Sequence, residues 1–202
     1  MSKDPTINRY KTNILAVYNR ASDTDLVTGL NWYREAYHIA YGMESNSVAL
    51  NAGNGTVGAG VIAALSPLLP WKRNLELAAQ ALREGKASGT FQANCDKADK
   101  IIAGADPMKV LWHKSDRARK TVAFYESIIA GGITYSVCID RHAGAICEGR
   151  DLTEAERKSL RDGRYRDMET AYQLAAKQVG LYPAQLQAIT WVTHRREKGI
   201  TD

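Results

Sequence analysis

The sequence predicts an all-α protein. Three observations carry this: apolar residues recur at helical spacing along most of the 202 residues, caps and glycine stops punctuate the chain at short intervals, and the one alternating run has no partner with which to build a sheet. Hydrophobic residues make up 45% and charged residues 24%, the balance of a folded globule and not of a disordered tail.

A first helix is expected over 12–20, with Ile14, Leu15, Val17 and Tyr18. A second covers 23–41, where Leu26, Leu30, Tyr33, Tyr37, Ile39 and Ala40 keep close to a 3.6-residue period, with Ser22 or Asp23 as its cap and Gly42 as its stop. Residues 45–56 are rich in Asn, Gly and Ser and read as a loop. Residues 57–65 are small and apolar on all sides, the pattern of a helix in the middle of a core. Pro67 and Pro70 interrupt, and 71–85 resumes as an amphipathic helix on Leu75, Leu77, Ala78, Ala81 and Leu82. A loop at 86–93 leads to a short helix over 94–103 that ends at Gly104. Asp106-Pro107 sets an N-cap before a proline at the first helical position. Ser115-Asp116 opens a helix over 117–130, which Gly131-Gly132 ends. Residues 135–139 alternate, but five residues without a partner make an extended connection into a helix over 140–147. Thr153 with Glu156 fits a capping box, 164–179 is a helix ended by Gly180, and Pro183 opens the last helix over 184–198. The sum is eight to ten short helices in one all-α unit over 1–202, with two lobes: one over about 57–130, the other combining about 1–56 with 131–202.

Several function classes are disfavoured by composition. Lys plus Arg number 27 against 22 Asp plus Glu, a net charge of +5 that permits a polyanionic partner without requiring one. Cys95, Cys138 and Cys147 have no CxxC spacing, which argues against a disulfide framework, a four-cysteine zinc site and an iron–sulfur cluster. The longest apolar stretch, 57–70, is broken by glycine, serine and proline, and MSKDPTINRYK lacks an apolar signal core, so the expected setting is the cytoplasm and not a membrane. His38, His113, His142 and His194 are scattered and no HExxH occurs, so no metal is expected. GNGTVGAG at 53–60 lacks the Lys-Ser/Thr ending of a phosphate loop and reads as a turn followed by close helix packing. Trp32, Tyr33 and Tyr37 are expected in the core, and the basic run at 195–198 at a solvated helix end, with phosphate contact as the alternative.

The stretch that carries chemistry is RARKTVAFYESIIAGGITYSVCIDRHAGAICE, 117–148. Arg119-Lys120-Thr121 stands at the start of one helix, and Ile139-Asp140-Arg141-His142 heads the next, with Asp140 positioned 20 residues after Lys120. Upstream, Ala63-Ala64-Leu65-Ser66-Pro67-Leu68 ends an apolar helix. In this order and spacing the chain resembles a divergent, bacteriophage-type member of the helix-hairpin-helix DNA glycosylase superfamily, of the endonuclease III kind, over residues 57–150. The glycine hairpin of that family is replaced by Trp112-His113-Lys114-Ser115-Asp116, so phosphate contacts there would fall to Lys114, Ser115 and Arg117.

The resemblance implies a two-lobed helical fold without an iron–sulfur cluster, with a cleft between the lobes, no cofactor, and DNA as partner. It implies cleavage of the N-glycosidic bond, with Asp140 stabilising the cation-like sugar and Lys120 as a nucleophile able to form a Schiff base. A base within a duplex is out of reach, so it must be flipped: Leu68 would fill the gap, and Trp71, Trp112 or Tyr135 would stack on the base. His142, Arg119 and Arg141 complete the expected DNA-binding set, and Arg117 and Arg119 would help to activate Lys120. Two alternatives remain open on the same scaffold: a phage enzyme that hypermodifies the base without releasing it, and a non-catalytic DNA-binding protein. Asp140 is in any case a natural N-cap, and Lys120 a natural solvated helix residue.

Overall fold

A computed structural model describes residues 4–47, 53–112, 119–158, 160 and 162–200. Among these residues the chain is all-α, with α1 Pro5–Tyr18, α2 Asp23–Ser45, α3 Thr56–Leu65, α4 Trp71–Glu84, α5 Gln92–Ile102, α6 Pro107–Leu111, α7 Arg119–Ile129, α8 Arg141–Glu148, α9 Glu154–Lys158, α10 Asp162–Val179 and α11 Pro183–Glu197. Eleven helices exceed the eight to ten expected, and α2, at 23 residues, is not short. The chain divides into a terminal unit, Met1–Tyr33 with Gly132–Thr201, and an inserted unit, Arg34–Gly131, so the boundary falls within α2 and earlier than residue 56.

In the terminal unit, α1 packs along α10 and against α8 and α11. Its start lies well before residue 12. The Asp4 carboxylate accepts from Thr6 N at 2.7 Å and Ile7 N at 3.3 Å, and Pro5 follows at the first turn. This cap extends the buried stripe to Ile7, Tyr10, Ile14 and Val17. Ser22 and Asp25 cap α2 reciprocally, at 2.9 and 3.2 Å. The extended run before α8 finds no strand. Instead the Tyr165 hydroxyl accepts from Ile139 N at 3.1 Å and donates to the Val137 carbonyl at 2.7 Å, so a side chain from α10 satisfies the backbone that a sheet would otherwise satisfy. Tyr33 is buried and donates to Gln187 Oε1 at 2.8 Å, whereas Trp32 and Tyr37 are only half-buried.

The inserted unit is built around α3, whose residues Gly58 to Leu65 are all buried, with α4, α5, α6 and α7 packed on it. The glycines of this segment serve packing. A Cβ at Gly58 would run into the backbone carbonyl of Ala40, and one at Gly60 would lie 2.8 Å from Pro107 Cβ. The N-cap residue of α3, Gly55, has no side chain to offer, and Asn54 Oδ1 accepts from Thr56 N at 3.3 Å while buried Glu44 reaches over and accepts from Gly58 N at 3.0 Å. Glu44 also explains why Gly42 does not stop α2. Holding Glu44 against the start of α3 keeps the last turn of α2 helical through Ser45, and Gly42 stays in its interior with open space around it. The helix expected from residue 117 is described from Arg119, and its proposed cap, Ser115-Asp116, lies outside the described residues. The three cysteines are buried and form no disulfide with one another. Among the described residues no helix is long and apolar enough to cross a membrane.

Candidate functional site

Asp140 heads α8 with an extended backbone. Its Oδ1 accepts from His142 N at 2.9 Å and Ala143 N at 2.8 Å, and its Oδ2 accepts from the Trp191 indole at 3.1 Å. Three N–H groups thus converge on a carboxylate with about four acceptor directions, which fixes its plane and leaves about one direction free. The side chain is half-buried, so that direction is not sealed off.

The aromatic groups around it come from α8 and α11. His142 stands edge-on to Trp191, with ring centroids 6.2 Å apart, and 5.7 Å from the ring of His194. Arg195 stacks its guanidinium over Trp191 at 4.3 Å. Arg141 Nε donates to His142 Nε2 at 3.3 Å, so that nitrogen is an acceptor and the ring proton sits on Nδ1. Burial holds the His142 imidazole below its usual pKa against the pull of Asp140, and Arg141, His194 and Arg195 push the same way as burial. Burial, with Lys198, likewise lowers His194. Both rings are thereby biased toward the neutral form.

Beside these rings lies a cavity of about 280 Å³. Arg141, His142, Arg157, His194 and Lys198 line it with Asp151, and Ala145, Leu152 and Ile200 form its apolar wall. Lys198 Nζ meets Asp151 Oδ2 at 2.9 Å, which holds the Asp151 carboxyl below its usual range. The two histidines are far apart in sequence but adjacent in the fold, so the expectation that they are scattered fails for this pair. Among the described residues no group of three or more His, Cys, Asp or Glu is placed to hold a metal ion.

The sequence-predicted set divides between the units. Asp140, Arg141 and His142 come together in the terminal unit, whereas Leu68, Trp71, Trp112, Arg119 and Lys120 belong to the inserted one. Lys120 is exposed in the first turn of α7, so the desolvated setting expected for a Schiff-base lysine is not supplied there, and Arg119 beside it is half-buried. Leu68 is 85% exposed and has φ +65°, a left-handed backbone that costs a leucine roughly 1–2 kcal/mol. Trp71 is half-buried with its ring edge-on to Phe124 at 6.3 Å, and Trp112 is exposed. Tyr135, in the terminal unit, is exposed and meets Tyr182 edge-on at 6.0 Å. Lys114, Ser115 and Arg117 lie outside the described residues.

Sequence reasoning missed Trp191, His194 and Arg157 as parts of a site, and gave Lys198 only within a basic run for which phosphate contact was the alternative to a solvated helix end. A signal existed at the end of α11: positions 191, 194 and 198 are spaced i, i+3, i+7, which lines up Trp191 and His194 of the helix with Lys198 at its C-cap.

A family of unknown function, DUF7178, matches residues 1–198 of the chain. No curated protein and no solved structure matches it.

Proposed function

Since the chain belongs to DUF7178, a family of unknown function, we propose its activity from its own geometry: it is a DNA glycosylase-like enzyme that acts on a flipped base, with Asp140 as its main catalytic residue. The observation that carries the reading is the oriented carboxylate of Asp140, gripped by two α8 amides and the Trp191 indole with one acceptor direction left over. A fixed anion of this kind favours the cation-like sugar that forms as the N-glycosidic bond breaks. The C1′–N bond breaks with its electron pair going to the base, a water oxygen bonds to C1′, and the water proton ends on the departing base. Lys120 offers a second route: its neutral amine bonds to C1′ as the base leaves with the C1′–N electron pair, the C1′–O4′ bond then breaks to give a Schiff base, and the two amine protons end on the base and on O4′. Leu68 supports the reading too: an exposed apolar side chain on a strained backbone suits a wedge that fills the space a base vacates. The order of wedge position, lysine and helix-heading aspartate resembles the helix-hairpin-helix glycosylases.

A screen of oligonucleotides, each with one damaged or modified base, tests this by release of the free base. The active substrate is expected to lose its base with the wild type and at least about a hundredfold more slowly with Asp140→Asn, which keeps the cap because Asn serves there as well as Asp. Full excision by Asp140→Asn would refute the role. Borohydride trapping on an abasic substrate examines Lys120 separately, and absence of an adduct makes it a phosphate contact.

A second reading has its own observation. All three donors to Asp140 also serve the fold, since they cap α8 and tie it to α11. On that reading the protein binds DNA without chemistry, and DNA affinity with no base release across the whole panel would favour it.

A further inference from the structure

We propose that the cavity between the start of α8 and the end of α11 binds a phosphate group. It rests on charge and size within the terminal unit and needs an anionic ligand, not the glycosidic chemistry above. Three permanent cations, Arg141, Arg157 and Lys198, line a space of about 280 Å³ whose one carboxylate, Asp151, is already answered by Lys198 at 2.9 Å. The permanent charges of the lining therefore leave a surplus of two positive charges. Among the described residues the Arg141 guanidinium has His142 as its hydrogen-bond partner and meets no carboxylate, and Arg157 likewise has no carboxylate bonded to it. Like charges gathered around a hollow repel one another unless an anion sits among them. Guanidinium forks match the tetrahedral face of phosphate with paired N–H donors, and His142 and His194 each add an N–H or a lone pair. The volume lies just below the usual range for small-molecule pockets, so it suits a single phosphate with part of a sugar and not a large apolar ligand. This chemistry has two sources, a free phosphate or nucleoside monophosphate and a phosphodiester of a DNA backbone.

Titration at low salt with inorganic phosphate, a deoxynucleoside 5′-monophosphate and a short single-stranded oligonucleotide separates them. The Arg141→Gln/Arg157→Gln variant changes two exposed side chains, and circular dichroism with thermal unfolding checks its fold. A matched control, Lys72→Gln/Lys100→Gln, removes two exposed cations from the inserted unit. Binding of either small probe, weakened about tenfold or more in the arginine pair alone, establishes a free-phosphate site. Binding of the oligonucleotide only, weakened in the arginine pair with a salt slope lower by about 2, establishes a backbone-phosphate site. Asp140→Asn is expected to keep this binding, which separates the present proposal from the base-release reading. Wild-type protein that binds none of the probes, an arginine pair that binds as wild type, or equal weakening in both pairs overturns it.

Discussion

Each unit buries an apolar core, that of the terminal unit including Ile14, Ile139, Met168 and Tyr172, but the two differ in how much polar pairing is added to it. The inserted unit is continuous in sequence and is organised by packing, with an all-apolar helix, α3, at its centre and neighbours close enough that Gly58 and Gly60 admit no Cβ. Its buried carboxylate Glu44 caps a backbone amide. The terminal unit joins two distant stretches of chain, and specific polar pairs span the gap. Glu148, with a side chain 5% exposed, accepts from Tyr10 at 2.6 Å, Arg9 at 3.0 Å and Arg164 at 2.8 Å. Arg196 binds buried Asp25 at 2.8 Å, and Arg20 binds Glu197 at 2.8 Å. A unit closed over a long loop must select its register from far away, and charge with directional hydrogen bonds selects more sharply than apolar area does.

The sharpest way to break this contrast is to remove packing from the inserted unit. Ile62→Ala, at a fully buried position of α3, is expected to cost about 3 kcal/mol in urea unfolding. Next, Glu148→Gln in the terminal unit should cost about 2 kcal/mol, because Arg9 and Arg164 lose their shared anion while much of the hydrogen-bond geometry survives. Acidification should then affect the terminal unit first. His142 and His194 sit below the ordinary 6.5, so the unfolded chain takes up protons before the folded one does. The stability they contribute is whole above pH 6.5 and declines as pH falls through their folded values. Glu148 adds a second loss: burial pushes its carboxyl up, but Tyr10, Arg164 and Arg9 outweigh burial and hold it below 4.5, so its contribution fades below that pH. Thermal melts from pH 7.5 down to 4 should therefore show a falling midpoint, and a midpoint that stays flat would contradict the contrast. The smallest effect is a gain: Gly42→Ala, inside α2 with nothing within 4 Å, should stabilise by up to about 1 kcal/mol.

Local signals were legible in the sequence and long-range ones were not. Asp106-Pro107 marks the start of α6, where the Asp106 carboxylate accepts from Met108 N at 2.9 Å, and Thr153 with Glu156 forms its reciprocal box. The same Asp-Pro pair at 4–5 opens α1, yet the apolar period alone set the expected start at residue 12, because Ile7 and Tyr10 are too sparse to register without the cap. Residue type alone marks Gly42 as a stop, whereas the tie that overrides it, Glu44 to Gly58 N, spans 14 residues. The same limit applies to the site. Asp140 as a helix cap follows from its neighbours in sequence, whereas its Trp191 partner is 51 residues away and Arg157 enters the cavity from a different helix. Periodicity locates a face and cannot say which other face it meets.

The split of the terminal unit has a consequence for biosynthesis. The helices against which α1 packs begin at Arg141, so 140 − 18, or 122, residues must be made after α1 before the first of them exists. At ribosomal rates of about 5–20 residues per second this is a wait of roughly 6–24 s. Through it the sticky stripe of Ile7, Tyr10, Ile14 and Val17 has no lasting neighbour, while the stretch between emerges whole and is free to collapse. The nascent chain thus offers a chaperone a defined handle at α1, released when α8, α10 and α11 arrive.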